Sequence, residues 1–261
     1  MIILMHSSKT MRPHRFGVRP GGSPALLDQA TELVAYLRTH STQQLSRIMA
    51  ISADLAAKTR EQYAQWSTDP DRQAPAVMSF VGDIYSGLRI DSFDPADRAY
   101  ADTRLRILSG LYGILRPFDG ICPYRLEMGC RLPPGRYSNL YRFWGISIVK
   151  QLPASGRIIN LAANEYSKTV TPHVEADRVL TPRFLTIDPA SQQPKFVVVH
   201  AKIARGAFAR WLLTERITDT PAAIREFSDI GYRYDPALST PSEPTFVCRQ
   251  FGGKGLSVRL T

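Results

Sequence analysis

The segment Arg104-Leu-Arg-Ile-Leu-Ser-Gly-Leu-Tyr-Gly113, continuing into Ile114-Leu-Arg-Pro-Phe118, decides how this chain is read. A helix-compatible run ends at Ser109, and Gly110 and Gly113 then flank the apolar Leu111. A helix that stops on Gly-apolar-x-Gly and restarts is a helix-hairpin-helix element. Its glycines, lacking Cβ atoms, let backbone N–H groups approach a phosphate. Arg104, Arg106 and Arg116 would then neutralise phosphate charge beside Ser109, Gly110 and Gly113. Pro117 speaks against this, because it falls where a second helix should be in its first turn, and proline disrupts a helix interior. A helix C-cap followed by an ordinary turn is the competing expectation.

Working outward, 33 Lys and Arg against 23 Asp and Glu leave a formal charge of +10 over 261 residues. That balance favours polyanions or phosphorylated small molecules, although the charge is spread along the chain rather than gathered in a tail. Hydrophobic content of 44% with 21% charged residues is ordinary globular composition. No apolar run approaches a membrane span, and Met1–Met5 is too short for a signal sequence. A soluble, cytoplasmic protein that keeps away from membranes is therefore expected. Cys122, Cys130 and Cys248 are odd in number with no CxxC pair, which fits reduced thiols. The histidines His6, His14, His40, His173 and His200 show no metal-ligand spacing. Neither a metal nor a cofactor is expected, and the oligomeric state is left open.

Ile2–Met5 reads as a buried strand, followed by a basic loop over Arg12–Gly22. Ser23-Pro24 predicts a helix start, with Leu26, Leu27, Ala30, Leu33, Val34 and Leu37 on one face. Further helices are predicted over Gln43–Met49, over Ala53–Trp66 capped by Ser52, and from Asp94-Pro95 to about Leu108. From Ile158 the texture changes to short β-branched runs, RIINLA, RFLTI and FVVVH, which read as strands. Helices mostly first and strands mostly later imply one mixed α/β unit over residues 1–261.

The span Ala201–Ile217 is predicted as an amphipathic helix. Ile203, Ala204, Ala207, Phe208, Trp211 and Leu212 take one side, and Lys202, Arg205, Arg210 and Arg216 the other. With FVVVH read as a strand, Lys202 and Arg205 fall in the first turn, where two cations oppose the helix dipole unless an anion binds there. A solvated basic face is the alternative. Phe80–Leu88 places Asp83, Tyr85 and Ser86 between glycines, either as a ligand loop or as a hairpin packed by Phe80, Ile84 and Leu88. Ile158–Lys168 gathers Asn160, Asn164, Glu165, Tyr166 and Lys168 at the carboxyl end of a strand, where α/β proteins bind ligands. His6-Ser7-Ser8-Lys9-Thr10 ends the first strand in the same way, without the glycines of a P-loop.

Taken together, the amino-terminal strand with Lys9-Thr10, FVGDIYSGL, LRILSGLYGILRPFDGICPYRLEMG, LYRFWG, INLAANEYSK, AKIARG and FSDIGYRYD resemble the YaaA family of bacterial peroxide-stress proteins. The resemblance implies a compact mixed α/β domain with a basic cleft and a helix-hairpin-helix, associated with double-stranded DNA binding and protection against oxidative damage. Carried over, it puts the hairpin on Ser109–Gly113 and the cleft's polar groups on Lys9, Asp83, Tyr85, Asn160, Glu165, Tyr166, Lys202 and Arg205. The sequence departs from that family's pattern at His6-Ser7-Ser8, in the strongly basic Arg12–Gly22 loop and in an extended tail, Gly252–Thr261.

Two functions follow. In the first, phosphates of double-stranded DNA are held by Arg104, Arg106, Ser109, Gly110, Gly113, Arg116, Lys9, Lys202 and Arg205, tolerant of sequence and sensitive to salt. In the second, an anionic small molecule, a nucleotide or a carboxylate, is the substrate of an enzyme. Lys9 or Lys202 would serve as base or nucleophile, Asp83 or Glu165 would transfer protons, Tyr166 would donate, and Arg205 would clamp the anion. A peroxide-sensing cysteine is weighed against three buried, inert thiols.

Overall fold

The computed structural model describes residues 1–12, 18–135, 137–217, 219 and 221–255. Part of the basic loop (13–17, including His14) and the end of the tail (256–261) lie outside the described residues. The chain adopts the mixed α/β architecture expected of it. Strand β1 (Ile2–His6) lies inside a five-stranded sheet with β2 (Leu105–Ser109), β3 (Gly113–Leu115), β4 (Ile158–Asn160) and β5 (Val179–Leu180), in the order β3-β2-β1-β4-β5. It runs parallel to β2 and to β4, and only β3 is antiparallel to its neighbour. Ile3, Leu4 and Met5 are fully buried. A central parallel strand is covered on both faces, which is why the run is apolar without alternation.

A second sheet holds β6 (Arg183–Ile187), β7 (Pro194–Lys195), β8 (Tyr232–Tyr234) and β9 (Thr245–Cys248), in the order β7-β6-β9-β8. Helices α1 (Leu27–Arg38), α2 (Thr42–Met49) and α3 (Ala53–Gln65) precede α4 (Asp83–Leu88) and α5 (Pro95–Arg104). The caps fall where the sequence put two of them: Ser52 accepts from Leu55 N–H, and Asp94 from Asp97 N–H at 2.7 Å. Helix α1 begins at Leu27, later than Ser23-Pro24 predicts, because Pro24 is spent on a turn closed by Leu27 N–H to its carbonyl.

The opening segment departs most from expectation. Helix α5 stops at Arg104, and Leu105–Ser109 is extended and parallel to β1, with Ile3 opposite Leu105 and Leu108 opposite His6. Leu111 and Tyr112 turn the chain, and Gly113–Leu115 returns antiparallel, with Ser109 opposite Gly113. This is a β-hairpin, so the helix-hairpin-helix expected here is corrected. Leu-Arg-Ile-Leu satisfies either period, and pairing with a buried strand decides it. The glycines serve packing. A Cβ on Gly110 would collide with the carbonyl oxygen of Leu126, and one on Gly113, at φ +69°, would sit 3.0 Å from the Trp144 ring. Trp144 Nε1–H also donates to the Gly110 carbonyl at 3.1 Å. Ser109 to Gly113 are all buried, so this corner exposes no row of backbone N–H groups. Two helices joined by a short turn do occur elsewhere, at α2 and α3 around Ala50–Ser52, where Ala50 takes the left-handed conformation at φ 50°.

Two further helices complete the scaffold, α6 (Asn164–Ser167) and α7 (Val198–Thr214). Helix α7 packs on two sides. Phe208 joins Phe184, Phe227 and Phe246 over the second sheet, with Phe184 and Phe246 stacked at 5.5 Å. On another side Gly206 meets Gly87 of α4. The helix starts at Val198, so Val198–His200, predicted as strand, forms its first turn. Lys202 and Arg205 therefore lie beyond the first turn, and their expected place at the helix amino end is corrected to the helix flank. Phe80–Leu88 is likewise neither loop nor hairpin. Phe80–Val81 pairs antiparallel with Thr10–Met11, and α4 follows at once.

Candidate functional site

From β1 the chain moves towards β2, and from β4 towards β5, so the connections leave this adjacent pair in opposite directions. In a parallel sheet that arrangement opens a crevice at the carboxyl edge, where ligands bind. His6 closes β1 at this edge. Its Nδ1 accepts the Ala163 N–H at 3.2 Å, its carbonyl accepts the Tyr85 hydroxyl at 2.9 Å, and its ring stacks on Tyr166 at 5.2 Å. With Nδ1 occupied as an acceptor, a neutral ring carries its proton on Nε2. Burial first, then the charges of Arg205 and Lys202, lower the His6 pKa to about 3. The imidazole is thus a neutral N–H donor at physiological pH.

Behind it runs a chain of hydroxyls. Ser109 Oγ and Tyr124 Oη are 2.7 Å apart, and Ser7 bonds both Tyr124 and Tyr166. Burial pushes Tyr124 up to about 12 and raises Tyr166 as well, so both remain protonated and can donate. Lys202 and Arg205 face this edge from α7. Among the described residues neither is in an ion pair or a hydrogen bond, and burial lowers Arg205. Two cations without carboxylate partners among the described residues thus stand beside an uncharged donor.

The structure brings some predicted residues here and diverts others. Tyr166, Lys202 and Arg205 converge on His6. Tyr85 is spent on the His6 carbonyl, and Asn160 holds Ala162 N–H and Thr181 Oγ1, so both brace the crevice. Asp83 is buried at the start of α4, beside Gly255, and is engaged. Glu165 accepts the Gly129 N–H at 2.8 Å. Lys9 is 63% exposed and, with Arg125, shares the Glu127 carboxylate at 3.4 Å. Asn164 caps nothing with its side chain, since it is the first residue of α6 and Ala163 takes the N-cap position. The hydroxyls after β1, Ser7 among them, were expected to hold a phosphate or carboxylate, whereas sequence reasoning missed His6 and Tyr124. Only the position of His6 after a buried strand could have signalled one of them.

Arg104, Arg106 and Arg116 lie elsewhere. The β1–β2 register sets Arg104 at the amino edge, near Met1, roughly 13 Å along the strand from His6. Arg106 donates to the Asp102 and Leu105 carbonyls, and Arg116 pairs with Asp102 and Asp119. On the expectation that duplex DNA is bound, replacing Arg104 and Arg106 together by alanine should leave the affinity within about twofold of native by fluorescence anisotropy. A tenfold loss would return the amino edge to the site.

All three thiols are raised by burial, Cys130 to about 11 with Glu127 and Glu165 adding to the shift. Thiolate is scarce at neutral pH. Native protein should therefore be labelled by a thiol reagent at pH 7 far more slowly than a free thiol, and rapid labelling of Cys130 would contradict this environment. The His6 shift has its own consequence. Its folded pKa lies below its unfolded value, so the stability it contributes is fully present above pH 6.5 and lost as pH falls towards 3. Denaturant midpoints measured across that window should fall steeply for the native chain and less steeply for His6→Gln. Equal slopes would contradict it.

The sequence pattern of the family described as peroxide stress protein YaaA matches residues 1–238. The chain belongs to the YaaA family of peroxide stress proteins. It is 60% identical to a UPF0246 protein of Salinispora tropica across 99% of this chain and 98% of that one. It is 42% identical to UPF0246 proteins of Roseobacter denitrificans (87% of this chain, 91% of the relative) and of Burkholderia lata (88% and 91%). In this YaaA protein the family match spans both sheets apart from β9. Among the described residues no helix is long and apolar enough to cross a membrane, and no group of three His, Cys, Asp or Glu could hold a metal ion.

Proposed function

We propose that this YaaA protein serves the peroxide-stress role of its family by binding phosphate groups at the β1–β4 crevice, and that double-stranded DNA supplies those phosphates. The observation that carries this is the pair Lys202 and Arg205, without carboxylate partners among the described residues, beside the neutral His6. The net charge of +10 would bring a polyanion to it. Contacts of this kind read the backbone and not the bases, so binding should tolerate sequence. A labelled duplex titrated at rising salt tests this: affinity should fall steeply between about 50 and 200 mM, and a flat response would reject phosphate contacts. Inorganic phosphate and a mononucleotide are run as competitors. Displacement of the duplex only at high competitor concentration supports DNA as the source, whereas tight saturable mononucleotide binding points to the second reading.

That second reading, an enzyme acting on a small organic anion, is favoured by the buried hydroxyl chain Ser109–Tyr124–Ser7–Tyr166, which a bare DNA clamp does not need. There Arg205 would clamp the anion and Lys202 would act as base, with Tyr166 as donor. Glu165, Asp83 and Lys9 have other partners and would enter only after rearrangement.

A further inference from the structure

A cavity of about 860 Å³ lies apart from the crevice. It opens on another flank of α7, where Ile203, Ala207 and Arg210 recur at helical spacing, roughly 100° or more around the helix from Lys202 and Arg205. Its floor is apolar, with Met78, Ile90, Ile203 and Ile230 among the lining residues. Its rim is cationic, with Arg12, Arg89, Arg210 and Lys254 against Asp91 and Asp229. Arg210 takes up Asp229. Arg89 and Lys254 are exposed, and among the described residues their side chains have no ion-pair or hydrogen-bond partner. Arg89 also holds the left-handed conformation at φ 51°, an unfavourable one for a side chain-bearing residue, where it ends α4 at the cavity mouth.

We propose that this cavity is a second ligand site, for an organic anion with an apolar body and one acidic head. The volume lies in the range of small-molecule sites, the floor would bury the body, and Arg89 with Lys254 would hold the head. Nothing in this assignment depends on the crevice.

Decanoate is the probe, titrated calorimetrically against the whole protein, with uncharged decanamide as its counterpart. One saturable decanoate site is expected, with decanamide at least about tenfold weaker. Arg89→Glu with Lys254→Glu, both on the exposed rim, should weaken decanoate by at least about tenfold while thermal unfolding stays native. Ser86→Trp, placed to fill the cavity, should abolish binding, and Lys202→Ala in the crevice should leave it unchanged. Absence of saturable binding, equal affinity for decanamide, or binding untouched in both cavity variants would overturn the proposal.

Discussion

Replacing Gly206 by valine should destabilise this protein by about 3 kcal/mol or more, read as a lowered urea midpoint with an unchanged slope. Gly206 of α7 and Gly87 of α4 are stacked backbone to backbone. A Cβ on Gly206 would collide with the Ile84 carbonyl oxygen and come within 2.7 Å of Leu88 N. A Cβ on Gly87 would collide in turn with the Ile203 carbonyl and come within 2.8 Å of Ala207 N. Neither obstacle is a side chain that could swing aside, so relief requires the helices to separate. Helix α7 is also fixed by the Phe184–Phe208–Phe246 cluster, so separation is borne by α4. Since Tyr85 of α4 holds the His6 carbonyl, any Gly206 variant that survives should also lose affinity at the crevice. A substitution cost below about 1 kcal/mol would mean that the two helices are not in this contact.

Lys202→Ala with Arg205→Ala should weaken duplex binding by at least about tenfold for each phosphate contact removed, and lower the salt slope by about 1 per contact. Stability should change little or rise, because among the described residues neither cation is held by a carboxylate whose loss would need compensation. His6 should respond as well. Removing both charges relieves part of what holds its pKa near 3, leaving burial as the remaining cause, so the ring should move partway towards 6.5. A structural role for Lys202 and Arg205 would predict the reverse pattern, with lost stability and unchanged binding.

The elements with strong local signals were legible without the structure. Ser52 and Asp94 cap helices because a short polar side chain before an apolar period satisfies free amide groups, and the buried run at Ile2–Met5 makes a central strand. What failed were two short apolar runs whose period is ambiguous. Leu105–Leu108 is strand because β1 pairs with it, and Val198–His200 is helix although β-branched, since a propensity of a few tenths of a kcal/mol yields to tertiary packing. Tyr166, singled out at a strand end, and Lys202 and Arg205, singled out on a basic helix face and at its amino end, do lie together around His6. His6 and Tyr124 were not singled out, because their partners lie far away in sequence: Ala163 for His6, and Ser7 for Tyr124.

The proposed phosphate site lies at the carboxyl edge of β1 and β4 and not at the glycine corner. An amide nitrogen–proton correlation spectrum of the whole protein, titrated first with inorganic phosphate and then with a short duplex, tests it most directly. Shifts are expected at the amides of His6, Ser7, Ala163, Lys202 and Arg205, with Leu111, Tyr112 and Gly113 unmoved. Shifts gathered at Gly110–Gly113 and Arg104–Arg106, with the crevice silent, would contradict it.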